Sequence, residues 1–368
     1  MKRFKERIQK LQIRLREENL GLAVFAPTDH MRYLTGWAET GHERLLVLFV
    51  PAEGDPVFLV PSLNAAQAKR NPAGLMTVLG WEDATGWTVK ASDLFAEWSV
   101  SGRGVAIDDE LDAVHLLDLQ KIAPDASYIA AATLMASLRE IKSEDELAAM
   151  ERSAKVTDEV YLEAIGELRE GMTERELRDL IVAAYRKRGT RPEFAIVCFG
   201  ANTAIPHHSP GDVKLEQGDL VLIDIGCKID DYFSDITRTV AFGQPDPLAF
   251  EIYATVYAAN KAALDQGRPG MTGEELDAVA RGVIADAGYA DYFIHRLGHG
   301  IGLSGHEHPY IVAGNTQELR EGMCFSDEPG IYLPGRFGVR IENILTVTSS
   351  GLRSLNADPS AELLVVQA

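Results

Sequence analysis

The sequence predicts an α+β chain of two domains, and three observations support this fold class. In the first part, short apolar runs alternate with helical patterns, as in an α/β domain. A capping box then marks the start of a long helix. In the last part, two stretches of sequence resemble each other, which indicates two similar halves. We place the two domains at residues 1–131 and 132–368.

The first domain is predicted from its apolar runs, which have the length of buried strands. They cover residues 22–25, 45–50, 57–60, 76–79 and 105–107. Helical patterns lie between several of these runs, including residues 4–18 and 89–98. This alternation is typical of a mixed or parallel sheet covered by helices.

The second domain is predicted to begin near residues 131–141 and to continue with a helix. Ser143 and Glu146 form a capping box, in which the hydroxyl and the carboxylate satisfy unpaired N–H groups at the helix start. Periodic apolar positions behind this box extend the predicted helix to about residue 168.

An internal repeat organises the second domain. Capping boxes recur at Thr173 and Thr272, which are 99 positions apart, and so do His207 and His306. Further along, residues 217–226 align with residues 321–330 at an offset of 104, so that Asp224 falls on Glu328. Each half reads as helices followed by an antiparallel strand pair. Two such halves facing each other predict a pseudo-twofold antiparallel sheet with helices outside, and carboxylates that meet on the internal axis.

Composition excludes several classes of protein. The chain has 368 residues, 46% of them hydrophobic, and a net charge of −19, which disfavours nucleic acid and anionic membranes as partners. No stretch approaches the apolar length of a membrane span, and the basic N-terminus lacks the apolar core of a signal peptide. The cysteines, Cys198, Cys227 and Cys324, are too few and too scattered for a disulfide framework, so we expect a cytoplasmic protein.

Four carboxylates stand where carboxylates are costly. Asp224 lies inside an apolar run, and alone it would be interpreted as a structural ion-pair residue. Asp235 follows eleven positions later, across a predicted hairpin at residues 228–231. Glu328 and Glu342 are separated in the same way by a predicted hairpin at residues 334–338. Adjacent antiparallel strands can bring such side chains to within about 5 Å on one face.

Histidines concentrate in the same part of the chain. Six of the nine fall at the two equivalent places of the repeat: His207, His208, His295, His299, His306 and His308. His299 stands between glycines, which allow a close approach of the backbone to a ligand. Although a lone histidine is usually a core residue, this clustering favours a functional role.

Together these residues predict a metal site. Four carboxylates in one cavity repel each other unless cations offset their charge, and two divalent ions would do so while activating a water. A set of carboxylates with one imidazole suits hard or borderline ions. We expect Mn²⁺, with Co²⁺ or Zn²⁺ as alternatives.

These motifs resemble those of the metallopeptidases with the pita-bread fold, in the branch of prolidase (Xaa-Pro dipeptidase) and aminopeptidase P. The resemblance covers nearly the whole chain, because residues 29–36 resemble the creatinase-type N-terminal domain. It implies five ligands for two metal ions: Asp224, Asp235, His299, Glu328 and Glu342. By the same resemblance Asp235 and Glu342 bridge the ions, Asp224 chelates one, and His299 and Glu328 bind the other.

The resemblance also implies residues that face the substrate or support the site. His207, His295 and His306 match histidines that face the substrate, Arg340 matches a supporting arginine, and Glu328 is our candidate for moving a proton during catalysis. The one departure is Asn343, where the family often has aspartate. By the same resemblance, the metal-free relative creatinase and pita-bread proteins that have become binding modules would lack ligands, whereas all five are present here, so a non-catalytic metal-binding scaffold is only the remote alternative.

The predicted function is hydrolysis of the bond before proline in short Xaa-Pro peptides. A dipeptidase must hold a C-terminal carboxylate, for which Arg336 and His208 are candidates, whereas an aminopeptidase P accepts longer peptides. We favour the dipeptidase, with aminopeptidase P as the alternative. The resemblance further implies a homodimer, and Trp37, Trp81 and Trp87 are candidates for reaching a neighbouring subunit's site.

Overall fold

Two units of the chain pack separately in the computed structural model, which describes residues 1–39, 41–75 and 77–367. They are Met1–Arg139 and Glu140–Ala368. The domain boundary expected between residues 131 and 132 stays a prediction. Among the described residues, no helix combines the length and the apolar character needed to cross a membrane.

The first unit is built around a six-stranded sheet with the order β4-β3-β2-β1-β5-β6. Its strands are β1 (Leu20–Phe25), β2 (Val47–Pro51), β3 (Val57–Pro61), β4 (Val78–Trp81), β5 (Gly104–Ile107) and β6 (Ser127–Ala130). Its helices are α1 (Lys2–Glu17), α2 (Asp29–Thr35), α3 (Ala65–Ala68), α4 (Thr88–Glu97), α5 (Ala113–Ile122) and α6 (Ala132–Arg139). Strand β1 is parallel to β5 and antiparallel to β2, so the sheet is mixed, and the α/β prediction is confirmed.

The predicted strands of this unit correspond to β1 to β5. The run at 76–79 begins at residue 76, which lies outside the described residues, and β4 starts at Val78. Strand β6 escaped prediction because it is a largely exposed edge strand without an apolar run. Sequence periodicity reports burial, so an edge strand of this kind leaves little signal.

Two of the three tryptophans considered for an interface pack inside their own unit. Trp81 and Trp87 are buried, and the indole N–H of Trp81 donates to the carbonyl of Leu45 at 2.9 Å. Trp37 is half-buried and packs edge-on against Phe58, with 5.2 Å between ring centroids. The suggestion that Trp81 or Trp87 reaches a neighbouring subunit is therefore wrong.

The second unit contains two helix pairs and the strands that carry the predicted site. Its helices are α7 (Glu144–Gly166), α8 (Glu174–Lys187), α9 (Pro247–Gln266) and α10 (Gly273–Asp286). Its strands are β7 (Pro192–Phe199), β8 (Leu220–Ile229), β9 (Tyr232–Phe233), β10 (Ile236–Phe242), β11 (Gly298–Gly300), β12 (Glu307–Ile311), β13 (Cys324–Asp327), β14 (Gly330–Leu333), β15 (Phe337–Arg340), β16 (Asn343–Thr348), β17 (Gly351–Ser354) and β18 (Val365–Val366). The capping boxes predicted at Ser143, Thr173 and Thr272 begin α7, α8 and α10.

The internal repeat is confirmed as a pseudo-symmetric arrangement. Strands β7, β8 and β10 pair antiparallel in that order, and β11, β13 and β16 do the same in the other half. A single bridge between Thr237 of β10 and Glu342, just before β16, joins the two sheets. The carboxylates therefore meet where the two halves face each other.

Alternation along β8 decides which side chains face the site. Val221, Ile223 and Ile225 belong to the apolar core that also includes Leu177 and Ile181 of α8. Successive residues of a strand point to opposite faces, so Asp224 projects away from these helices. This burial of the odd-numbered positions is what aims a carboxylate into the interior of the sheet.

Candidate metal centre

A cavity of about 1000 Å³ lies within the second unit. All the predicted metal ligands and catalytic residues line it: His207, Asp224, Asp235, His295, His299, His306, Glu328, Arg340 and Glu342. The structure thus brings together residues that are spread over more than 130 positions of the sequence.

The closest group in this cavity consists of Asp235, His299 and Glu342. One potential ligand atom from each lies within 4.8 Å of the others. Glu328 adjoins this group, because its Oε1 is 3.5 Å from Nε2 of His299. Asp224 lines the same cavity, and its Oδ2 accepts from Arg340 at 2.6 Å.

Equivalent elements of the two halves position the carboxylates. Asp224 lies in β8 and Glu328 directly follows β13, its counterpart. Asp235 and Glu342 directly precede the counterpart strands β10 and β16. Because the strands are related by the repeat, each carboxylate has a partner at the same place in the other half.

The glycines around His299 serve a different purpose from the one expected. A Cβ at Gly298 would clash with the backbone carbonyl of Ser326, and one at Gly300 with that of His308. The two glycines therefore allow β11 to approach its neighbouring strands closely, rather than a ligand. His299 is held in the sheet by this close packing.

Hydrogen bonds orient the imidazole of His299. Its Nδ1 lies 3.1 Å from the carbonyl of Gly300, which can only accept, so Nδ1 carries the proton and Nε2 presents a lone pair. The hydroxyl of Ser326 accepts from the backbone N–H of His299 and donates to Oε1 of Glu328 at 3.1 Å. Burial lowers the pKa of His299 to about 3, so the ring is neutral, as a metal ligand must be.

The carboxylates destabilise one another in the metal-free protein. Burial, followed by the neighbouring charge of Glu342, raises the pKa of Asp235 well above its ordinary value. Burial and the charge of Glu328 act in the same direction on the pKa of Glu342. Burial raises the pKa of Glu328 to about 7, although the nearby Arg340 lowers it. The carboxylate cluster therefore favours the binding of cations or protons, which offset its negative charge.

Two buried carboxylate oxygen atoms have the environment expected of metal ligands. Oδ1 of Asp224 and Oδ1 of Asp235 are buried and find no hydrogen-bond partner among the residues that the structure describes. Buried polar atoms are ordinarily paired, so these orphaned oxygens call for a partner from outside the chain. Their chemistry, four carboxylates and a neutral imidazole, fits divalent metal ions.

Two further histidines of the cavity, His295 and His306, have environments that favour the neutral ring. Nδ1 of His295 donates to the carbonyl of Arg296 at 2.8 Å, and its Nε2 lies 2.8 Å from the hydroxyl of Tyr332. Burial lowers the pKa of His295 to about 4. The ring of His306 packs against that of His299, with 3.8 Å between ring centroids and an angle of 43° between the planes, and burial lowers the pKa of His306 as well.

A buried carboxylate organises the segment that carries His207. Glu174 is fully buried at the start of α8 and accepts four hydrogen bonds. Its donors are the backbone N–H of Phe199 and of Gly211, Nδ2 of Asn202 and Nε2 of His208, at 2.8–2.9 Å. His208 therefore supports the loop beside His207. Because it is not among the residues that line the cavity, the prediction that it holds the substrate carboxylate is wrong.

The cation expected to meet a substrate carboxylate is also placed differently. Arg336 is exposed and donates to Asp246 at 2.7 Å, away from the residues that line the cavity. Instead, Arg296 lines the cavity, half-buried, with its guanidinium 4.6 Å from the centroid of the Tyr310 ring. Its position next to His295 was a usable signal, but sequence alone does not distinguish it from Arg336.

Comparisons with known proteins agree with this geometry. Residues 148–349 match metallopeptidase family M24, and residues 7–141 match the creatinase/prolidase N-terminal domain. The chain is 39% identical to a probable dipeptidase PepE of Mycobacterium tuberculosis, over 94% of this chain and 92% of that protein. It is 37% identical to an Xaa-Pro dipeptidase of Lactobacillus helveticus, over 94% and 95% of the two chains.

A solved structure extends the similarity to the fold. The crystal structure of a prolidase from Thermococcus sibiricus superposes with a TM-score of 0.93 at 35% identity, covering 99% of each chain. The resemblance to pita-bread metallopeptidases is confirmed, and so is the predicted fold. The chain belongs to metallopeptidase family M24, whose members use divalent metal ions.

Proposed function

We propose that this metallopeptidase is an Xaa-Pro dipeptidase that uses two divalent metal ions. The observation that carries the proposal is the combination, in one cavity, of the carboxylate cluster with the guanidinium of Arg296. The first feature suits metal-assisted hydrolysis, and the second suits a substrate with a nearby C-terminal carboxylate. The names of the two relatives support the same class of substrate.

The proposed ligands are the five residues named from the sequence. By the family resemblance, Asp235 and Glu342 would contribute to the binding of both ions, Asp224 to one, and His299 with Glu328 to the other; Asp235, His299 and Glu342 offer ligand atoms within 4.8 Å of one another. When bound, the ions polarise the peptide carbonyl and activate the attacking water. We propose Mn²⁺ as the native ion, with Co²⁺ or Zn²⁺ as alternatives, since carboxylate oxygens dominate the set.

Proton transfer is assigned to Glu328. Its carboxyl group accepts from Ser326, and its Oε1 lies 3.5 Å from the imidazole of His299 in the same cavity. The nitrogen of proline must be protonated as the peptide bond breaks, and Glu328 would pass to it a proton taken from the attacking water. His295, His306 and His207 line the same cavity.

Selectivity for proline is assigned to the apolar part of the same cavity. Phe194, Ile196 and Phe233 line it beside the imidazoles. A proline ring can pack on this wall, and its nitrogen has no N–H that needs an acceptor. Replacing proline by alanine in the substrate should lower kcat/KM about 10–200-fold, the usual effect of losing such a contact.

Arg296 distinguishes the dipeptidase from an aminopeptidase P. No carboxylate lies within ion-pair distance of this guanidinium in the part of the chain that the structure describes, so it can bind an anion from the substrate. In a dipeptide the C-terminal carboxylate lies one residue from the cleaved bond, whereas in a longer peptide it is displaced. A guanidinium can bind a carboxylate through two parallel hydrogen bonds.

Rates on Leu-Pro and Leu-Pro-Gly test the assignment. We expect kcat/KM for the dipeptide to exceed that for the tripeptide at least tenfold, and Arg296→Met to remove most of that preference by raising KM for the dipeptide. Arg336→Met, which lies outside the cavity, is the matched control and should behave like the wild type. Faster cleavage of the tripeptide would instead establish an aminopeptidase P.

Assembly and location complete the proposal. We propose a homodimer, supported by the family resemblance, and a cytoplasmic location, consistent with three buried cysteines that form no disulfide. A monomeric sedimentation coefficient together with full activity at nanomolar concentration would contradict the dimer.

A further inference from the structure

Arg238 of β10 is a buried cation that the proposed reaction does not use. Arg238 is only 6% exposed, and burial lowers the pKa of its guanidinium. The repeat shows that the fold does not need a charge there. Arg238 lies opposite Ile223 in the first sheet, and the residue opposite Asp327, the counterpart of Ile223, is Asn343, which is buried and uncharged.

The guanidinium of Arg238 binds backbone carbonyls rather than a carboxylate. Nη1 donates to the carbonyls of Thr237 and Glu342, and Nη2 donates to that of Ala357 at 2.7 Å. Within the described residues no carboxylate forms an ion pair with it, and Asp158 acts on it only through longer-range attraction. A buried charge without an ion-pair partner is costly, so the arrangement calls for a specific function.

The carbonyl of Glu342 lies at the junction of the two halves. The backbone N–H of Glu342 donates to the carbonyl of Thr237 at 3.0 Å, and this is the bridge that joins the two sheets. On the other side, the hydroxyl of Thr237 donates to Oε2 of Glu342 at 2.7 Å. Arg238 therefore fixes the backbone of Glu342 from behind, while Thr237 holds its carboxylate in the cavity.

We propose that Arg238 is a positioning residue that sets the affinity of the site for its metal ions. It orients Glu342 by binding the carbonyls of both bridge residues, and its charge offsets part of the repulsion among the clustered carboxylates. The inference rests on the proposed function, in which Glu342 is a ligand shared by both ions. Without Arg238, the backbone and side chain of Glu342 would have more conformational freedom, and metal binding would have to restrict that freedom.

The test is calorimetric titration of manganese(II) chloride into metal-free protein. The variants are Arg238→Leu, which removes the charge and the hydrogen-bond donors, and Arg238→Lys, which retains the charge. The matched control is Arg353→Leu, because Arg353 is an exposed arginine of the same unit that pairs with Glu151. Glu342→Ala reports independently whether Glu342 is a ligand.

We expect the wild type and Arg353→Leu to bind two ions, Arg238→Leu to bind at least one of them tenfold or more weakly, and Arg238→Lys to fall between. Wild-type affinities in Arg238→Leu would overturn the inference, provided that Glu342→Ala loses its ions. If Glu342→Ala also binds both ions normally, the ligand assignment itself fails. If Arg238→Leu does not fold, Arg238→Lys is the decisive variant. Wild-type affinity for manganese in Arg238→Lys would contradict the inference, and weaker binding at unchanged thermal stability would support it.

Discussion

Arg340 donates to Oδ2 of Asp224 at 2.6 Å, so an ion pair joins the two halves of the metal centre. The same guanidinium donates to the hydroxyls of Tyr332 and Thr237 at 2.9 Å. Arg340 therefore ties one carboxylate of the first half to the strand that leads to Glu342 in the second. Both side chains of the pair are buried, which makes its loss costly.

Replacing Arg340 with Met should destabilise the metal-free protein. Asp224 would remain buried without its partner, which ordinarily costs about 3–5 kcal/mol. Urea unfolding monitored by circular dichroism measures the loss, with Arg336→Met as the exposed control. A change below about 1 kcal/mol, typical of surface pairs, would show that the pair is unimportant.

Asp235→Ala and Glu342→Ala should each lose both metal ions and nearly all activity. Both residues belong to the group of ligand atoms that lie within 4.8 Å of one another. Metal analysis after dialysis gives the stoichiometry, and the wild type should retain two ions per chain. A fully active enzyme with a single ion would contradict the dinuclear site.

His306→Ala should lower kcat by roughly 10²–10⁴, the range for a positioned acid or base, with metal content unchanged. The ring of His306 packs against that of His299, but His306 is only a neighbour of the proposed ligands. Steady-state kinetics and metal analysis on the same preparation separate the two roles. If His306→Ala loses its metal ions, His306 is a metal ligand.

Glu174→Gln should disturb the loop that carries His207. The amide replaces one acceptor oxygen with a donor and leaves two of the four donors to Glu174 unsatisfied, at about 1–3 kcal/mol each. We expect lower stability and a lower kcat with normal metal content. Glu167→Gln, at an exposed helix end, is the control, and equal behaviour of the two variants would contradict the role of Glu174.

The metal-free protein should be less stable at pH 8 than at pH 7. Because the pKa of Glu328 is raised to about 7, the folded chain is still partly protonated at Glu328 at pH 7, where the unfolded chain has released this proton, so the stability falls as the pH rises through 7. The raised pKa values of Asp235 and Glu342 act in the same direction. The lowered pKa values of His295 and His299 act in the opposite direction, but only below their ordinary value of 6.5.

Thermal unfolding at both pH values, with and without manganese, measures this dependence. Bound metal should reduce it, because metal replaces the protons. Stability of the metal-free protein that is the same at pH 7 and pH 8 would show that the carboxylates are already ionised at neutral pH and would contradict the prediction.

The sequence by itself determined the elements with strong local signals. Capping boxes identified the starts of three helices, because a side chain three residues into a helix bonds back to its cap. Asp224 stood out because a carboxylate within an apolar run needs a partner. The repeat then indicated that equivalent carboxylates would meet, and they line one cavity in the structure.

Only the tertiary structure decided which charges reach that cavity. Arg336 and Arg296 both occur near site residues, yet one pairs with Asp246 at the surface and the other lines the cavity. Likewise, no signal in the sequence around Arg238 indicates that its guanidinium binds the carbonyl of Glu342. Local sequence specifies the face of a strand, but the packing of distant strands determines what that face meets.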